Sequence, residues 1–217
     1  MEMRGAIFDM DGTLLDSMGA WEQAGVDYMR SLGIPLPDDL KEILYSKSIT
    51  DATVQIVRKA GLEISQSTIA KDINRRILAV YTAQNLLKPG ALALLEHFRA
   101  SGVKMCVATA TDPGLAAAAL KRSGIDDYFE AVLSCCGTPG GKNDPDIFYA
   151  ACKTMGTAVE DTWVFEDAVF AIRTAKKAGF PIAAVYDSNS LPFTEEIRSL
   201  AHRYFRDFHE ALACFQS

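Results

Sequence analysis

Two carboxylates, Asp9 and Asp11, stand one residue apart directly after an apolar run, Ala6-Ile7-Phe8, and Gly12-Thr13 follow them. In an extended segment, residues two apart face the same way, so both acids are expected to reach one ligand. Gly12 permits a sharp turn, and Thr13 carries a hydroxyl suited to satisfying backbone groups within it. Leu14 and Leu15 then return to the apolar interior. Chemistry recurs at the ends of three later apolar runs: Thr109 after the second, Lys142 beyond the third, and Glu166-Asp167 after the fourth. Four carboxylates gathered at one edge cannot all ionise cheaply. A hard divalent cation resolves that conflict, and carboxylate oxygens are the ligands magnesium prefers. Magnesium would also hold a phosphate that this acidic chain otherwise repels. One aspartate then stays ionised as a nucleophile while the other carries a proton. Lys142 adds a second cation suited to a transferring phosphoryl group. Thr109 and the Ala110 amide can hydrogen-bond its oxygens. The set suits phosphoryl transfer through an aspartyl phosphate.

Positioning these groups requires strands that end at one edge. From residue 88 onward, short apolar runs alternate with helical patterns closed by glycine. Helices are predicted over 90–101 (with Leu92, Leu95 and Phe98 on one face), 114–123, 145–155 and 168–178. Strands are predicted over 103–108, 131–133, 162–165 and 182–186. Such alternation predicts an α/β fold, a Rossmann-like parallel sheet with helices on both faces. The near-continuous apolar strands agree, since parallel strands are buried on both sides. Ligands in open parallel sheets bind beyond the carboxyl ends of the strands, which is where the acids, Thr109 and Lys142 stand. Residues 16–88 read differently. Ile69, Ile73, Ile77 and Val80 fall at helical spacing, as do Val54, Val57 and Leu62, and no strand pattern interrupts them. The expected organisation is a core of 1–15 and 89–217 with a small all-helical domain, 16–88, inserted in it. Its exit, Lys88-Pro89-Gly90, is a turn that suits a hinge.

At 217 residues the chain suits one core domain with a modest insertion. Apolar residues make up 49% and charged residues 23%, the balance of a soluble globular protein. The net charge of −6, without a basic stripe, argues against nucleic acid or an anionic membrane as partner. The opening MEMRGAIF holds too short an apolar run for a secretion signal, and no run is long enough to span a membrane. The expected location is cytoplasmic and the expected state monomeric. Five cysteines, odd in number and without zinc-ligand spacing, are expected to be reduced. His97, His202 and His209 lie in no motif and are expected to be satisfied core or surface groups. Lys71, Arg75 and Arg76 are expected on a solvated helix face. Trp21 either packs the helical domain or lines a pocket.

DMDGTLLDS (9–17), VATAT (107–111), GKNDPDIF (141–148) and FEDAVFAIRTAKKAG (165–179) resemble, in order and spacing, the four motifs of the haloacid dehalogenase-like hydrolase superfamily. The helical stretch resembles the small helical cap of its phosphoglycolate phosphatase and β-phosphoglucomutase branch. The resemblance implies roles. Asp9 would be the nucleophile. Asp11 would protonate the leaving oxygen and then deprotonate water, its backbone carbonyl binding magnesium. Thr109 and the Ala110 amide would hold the phosphate, and Lys142 would neutralise nucleophile and phosphoryl group. Asp167 would ligate magnesium directly and Glu166 through water or nearby, completing a set of Asp9, Asp11, Glu166 and Asp167. The substrate would be a small phosphorylated metabolite, held by a cap that opens and closes.

Some positions depart from the family pattern. Asn143 stands where proline often follows the motif lysine, which predicts a less rigid loop. Ala168 and Ala171 replace a frequent serine and glycine. Dehalogenases lack the second aspartate of the first motif, so Asp11 favours cleavage of a P–O bond. In β-phosphoglucomutases an arginine in the first cap loop grips a second phosphate. Ile49 occupies that place here, with Lys47 nearby as a substitute cation. A phosphatase is therefore expected, with a phosphomutase or a non-catalytic phospho-ligand binding protein as alternatives.

Overall fold

The structure, a computed structural model, describes residues 3–40, 43 and 48–216 of the chain. It divides into two compact units, Met1–Asp16 with Asn85–Ser217, and Ser17–Gln84.

The larger unit is built on six parallel strands: β1 (Gly5–Phe8), β2 (Lys104–Thr109), β3 (Ala131–Ser134), β4 (Thr162–Glu166), β5 (Ile182–Val185) and β6 (Arg203–Phe205). They lie in the order β3-β2-β1-β4-β5-β6. The chain leaves β1 for β2 on one side and returns from β3 to β4 on the other. The crevice between β1 and β4 is thus a topological switch point. Register levels the strand ends there, because Phe8 stands opposite both Val107 and Phe165.

Six helices cover this sheet: α4 (Ala91–Ala100), α5 (Pro113–Ser123), α6 (Asp146–Met155), α7 (Val169–Lys177), α8 (Thr194–Leu200) and α9 (Phe208–Phe215). Asp112 caps α5, its carboxylate accepting from the Gly114 and Leu115 amides, Pro113 occupies the first turn, and Gly124 closes the helix at φ +68°. Neighbouring strand residues supply opposite faces. Ile7 packs with Phe148 and Ala151 of α6 and Ala171 and Ile172 of α7. Phe8 looks the other way, its ring 4.5 Å from that of Phe165, 6.2 Å from Phe98 of α4 and 6.5 Å from Phe208 of α9.

The smaller unit holds α1 (Met18–Ser31), α2 (Ile49–Lys59) and α3 (Gln66–Ala83). Ser48 and Ser65 cap α2 and α3 by accepting from the third amide onward. Ile69, Ile73 and Ile77 form the buried stripe of α3. Gly25 lets α1 approach α2 closely, since a β-carbon there would lie 3.0 Å from Ile49 and Thr53. Trp21 packs inside this unit, its Nε1–H donating to Tyr81 Oη at 2.9 Å. Arg76 pairs with Asp72 at 2.7 Å and Arg75 joins it, on the solvated side of α3.

Some details differ from the sequence reading. The apolar stripe of α4 is Ala91, Leu94, Leu95 and Phe98, which leaves Leu92 41% exposed. On α3 the stripe ends with Tyr81 in place of the half-buried Val80, because the tyrosine hydroxyl meets Trp21. Leu62 lies beyond the end of α2, after Gly61 at φ +77°, and is exposed. Elements β6, α8 and α9 carried no sequence assignment. His202 stands at the start of β6 with Nδ1 accepting from the Ile182 amide at 2.9 Å. Cys106, Cys135, Cys136 and Cys152 are free thiols, and burial raises the Cys135 and Cys136 thiols above their ordinary range, so neither is a ready thiolate. No described helix is long and apolar enough to cross a membrane.

Phe8 stands at the centre of the aromatic layer on one face of the sheet. Phe8→Ala is expected to cost about 3–5 kcal/mol, read as a lower urea midpoint with an unchanged slope.

Candidate active site

The acids and Thr109 named from the sequence stand at or just past strand ends, and Lys142 stands in the loop beyond one. Asp9 follows β1, and its amide donates to Phe165 O of β4 at 2.9 Å, which ties the two strand exits together. Glu166 closes β4, Asp167 follows it, and Thr109 closes β2. Lys142 sits beyond β3 on a single 3₁₀ turn, Gly141–Asn143. Gly140 and Gly141, at φ +83° and +52°, shape that loop, and the Asn143 amide closes it on Gly140 O at 2.9 Å. Turn hydrogen bonds thus constrain the loop where a proline was missing.

Asp9, Glu166 and Asp167 are buried, and one oxygen from each lies within 4.8 Å of the others. Lys142, itself only 4% exposed, donates to Glu166 Oε2 at 2.8 Å and to Asp9 Oδ1. The second oxygen of Glu166 accepts from the Ala168 amide at 3.3 Å, so the backbone supplies an interaction at the position lacking the serine hydroxyl. Ala171 is fully buried in the core beneath, where its methyl group fits.

One lysine does not balance three buried acids. Burial raises Asp9 most, Asp11 adds to it, and Lys142 opposes both. Glu166 is held well above the carboxylate range by burial and then by Asp9. Asp167 is pushed up to about 7 by burial, Asp9 and Asp187, against the charge of Lys88 and a hydrogen bond from Thr13. Burial opposes the Lys142 charge, but Asp9 and Glu166 outweigh it and raise that pKa. An all-oxygen cluster with excess negative charge is the donor set of a hard divalent cation. Asp9, Glu166 and Asp167 fit magnesium on those grounds.

Asp11 contributes no side-chain oxygen to that cluster. Its Oδ2 accepts from the Thr111 hydroxyl at 2.6 Å, which orients the carboxylate. Thr111 is held in turn by Ser134 Oγ, donating to its carbonyl at 2.6 Å, while its own amide donates to Thr109 Oγ1 at 3.0 Å. Ala110 is exposed at the end of β2. Thr13 was expected to serve the backbone of the turn, but its hydroxyl donates to Asp167 Oδ1 at 2.9 Å. Gly12 meets two demands, a φ of +88° and a close approach to Asp167, whose carboxylate would lie 2.7–2.8 Å from any β-carbon. Lys47 lies outside the described residues.

Sequence reasoning missed Thr111, Lys88, Asp187 and Ser190. Asp187 is buried just past β5, Lys88 pairs with it at 2.9 Å, and Ser190 Oγ donates to Asp167 Oδ2 at 3.2 Å. The rule that found the other acids, inspection of the residues after each strand, finds Asp187 too when applied to β5.

Comparison with known proteins places the chain in a family. The sequence model described as haloacid dehalogenase-like hydrolase matches residues 3–179. Hexitol phosphatase A of Escherichia coli K12 is 28% identical over 204 residues, 93% of this chain and 92% of that protein. β-Phosphoglucomutase of Bacillus subtilis 168 is 28% identical over 185 residues, 82% and 80% of the two chains. CbbY from Rhodobacter sphaeroides in complex with phosphate superposes with a TM-score of 0.80 over 95% of each chain at 20% identity, a likeness of fold.

Two outcomes are expected of the acidic cluster. Below the Asp167 pKa of about 7, a cation must displace a proton. Magnesium affinity measured by calorimetry should therefore fall as pH drops through neutrality, approaching about tenfold per pH unit. Gly12→Ala should weaken magnesium binding by roughly 10–100-fold, because the new methyl group displaces the Asp167 carboxylate.

Proposed function

The chain belongs to the haloacid dehalogenase-like hydrolases, and on that premise we propose that it is a magnesium-dependent phosphatase of small phosphate monoesters. Its substrates are phosphorylated sugars or polyols, and Asp9 carries the phosphoryl group between them and water. The observation behind this reading is Lys142, buried between Asp9 and Glu166 in the acidic cluster. A buried lysine fixed on a carboxylate at a strand end suits a nucleophile that must meet an anionic phosphate.

The steps follow from the chain's own groups. An Asp9 oxygen attacks phosphorus as the bond to the substrate's alcohol oxygen breaks. Asp11, oriented by Thr111, gives that oxygen its proton. Asp11, now a carboxylate, takes a proton from water, whose oxygen attacks the phosphoryl group and releases Asp9 with inorganic phosphate. Lys142 faces the charge on Asp9 and on the transferring oxygens throughout. Thr109, aligned by the Thr111 amide, and the Ala110 amide hold those oxygens. Magnesium, when bound by Asp9, Asp167, the Asp11 carbonyl and, directly or through water, Glu166, neutralises the cluster and the phosphate.

Relatives named as hexitol phosphatase, phosphorylated carbohydrates phosphatase and fructose-1-phosphate phosphatase support the substrate class. Ile49, at the place of the arginine that grips a second phosphate in phosphoglucomutases, is buried at the start of α2. A side chain there contributes no charge to a bisphosphate, which favours hydrolysis over transfer back to a sugar. The protein is read as a cytoplasmic monomer with no nucleic-acid or membrane partner.

With magnesium, the protein is expected to release phosphate from an aryl phosphate and, in a metabolite panel, from hexitol or sugar monophosphates. Asp9→Asn should lower kcat by at least about 10³-fold. Bisphosphate-dependent sugar-phosphate isomerisation faster than phosphate release would replace this reading with a mutase.

A further inference from the structure

Lys88 is a partly buried cation outside every motif recognised in the sequence. Its side chain is 10% exposed, and Nζ makes three interactions. It donates to Gly12 O, to Tyr186 O at 2.8 Å and to Asp187 Oδ2 at 2.9 Å. An ammonium has three protons, so this partner set accounts for its donors. The partners come from two places, the turn after β1 and the exit of β5. In the sheet β4 lies between those strands, and Asp167 stands at its end. Lys88 therefore joins the two neighbours of β4 across the residue they flank.

The backbone around Gly12 shows what this joint holds. Gly12 follows Asp11 and lies against the Asp167 carboxylate. Its amide donates to Leu15 O at 2.9 Å, while its carbonyl turns to Lys88. Lys88 is anchored by its own amide, which donates to Leu14 O at 2.9 Å. The ammonium also balances Asp187, whose charge otherwise adds to that around Asp167. Thr111 orients the end of the Asp11 side chain; Lys88 holds the peptide chain that carries it.

We propose that Lys88 is a positioning residue of the site, clamping the exits of β1 and β5 across β4 so that the Asp11–Gly12 turn keeps Asp11 within reach of the leaving oxygen. This rests on the reading of Asp11 as the acid that protonates that oxygen. Asp187 is the counter-ion that keeps the clamp neutral.

The test separates position from charge. Lys88→Met with Asp187→Asn removes the clamp but leaves the local net charge unchanged. Both substrates are assayed at saturating magnesium, so that any change in metal affinity is common to the two. The value of kcat/KM for an alkyl phosphate, whose leaving oxygen needs a proton, should fall about tenfold or more. For a nitrophenyl phosphate, whose leaving group needs little protonation, it should fall less than about threefold. If the double variant does not fold by circular dichroism, Lys88→Gln with Asp187→Asn keeps a shorter, uncharged amide at the position and carries the same comparison. Equal losses on both substrates, or none on either, would overturn the proposal. A wild-type protein inactive on both substrates would instead remove the phosphatase reading, a result distinguishable from failure of the clamp.

Discussion

Three carboxylates buried around one ammonium group impose the constraint from which the rest of the structure follows. Asp9, Glu166 and Asp167 are each taken out of water, and each is pushed towards its protonated form. Carboxylates do not hold such an arrangement unaided; a rigid scaffold must keep them together against mutual repulsion. A parallel sheet with level strand ends and an apolar layer on each face is such a scaffold. The phenylalanines behind β1 and β4 and the aliphatic cluster on the other face keep the strands fixed where the acids emerge. Local backbone interactions refine this frame, with the Ala168 amide on Glu166 and the glycine-rich turn beneath Lys142.

Much of this was legible in the sequence because parallel strands announce themselves twice. They appear as short, wholly apolar runs, and they end at residues whose chemistry is out of place beside such runs. Asp9, Thr109 and Glu166-Asp167 were found in that way, and the structure brings their strand ends to one edge. Less visible were groups whose partners lie far along the chain. Thr111 orients Asp11 across 100 positions, and Lys88 meets Asp187 across 99. No local pattern encodes such pairings. Lys88 read as part of a turn because Pro89 and Gly90 follow it.

Periodicity failed where two faces of a helix were equally plausible. On α4, leucines at 92 and 95 suggest one stripe, whereas Ala91, Leu94, Leu95 and Phe98 form the face that packs. The difference is set by where the helix starts, and Gly90 sets that start against α9. A β-carbon at Gly90 would lie 2.5 Å from the His209 amide, so only glycine allows the approach. Its partner, α9, was itself hidden, because β6 before it has only three residues and α9 itself eight. Short elements at a sheet edge carry too little repetition to be read alone.

The backbone on either side of the helical unit is paired. Leu15 bridges Leu87 antiparallel, the Asp16 amide donates to Leu86 O at 2.8 Å, and the Lys88 amide donates to Leu14 O at 2.9 Å. Departure and return therefore occupy adjacent places on the sheet unit, as in the two legs of a hairpin. A segment joined through such neighbouring ports can vary in length or content without moving a strand. The helical unit is in that sense a cassette, free to be exchanged while the strands and the acids at their ends keep their places.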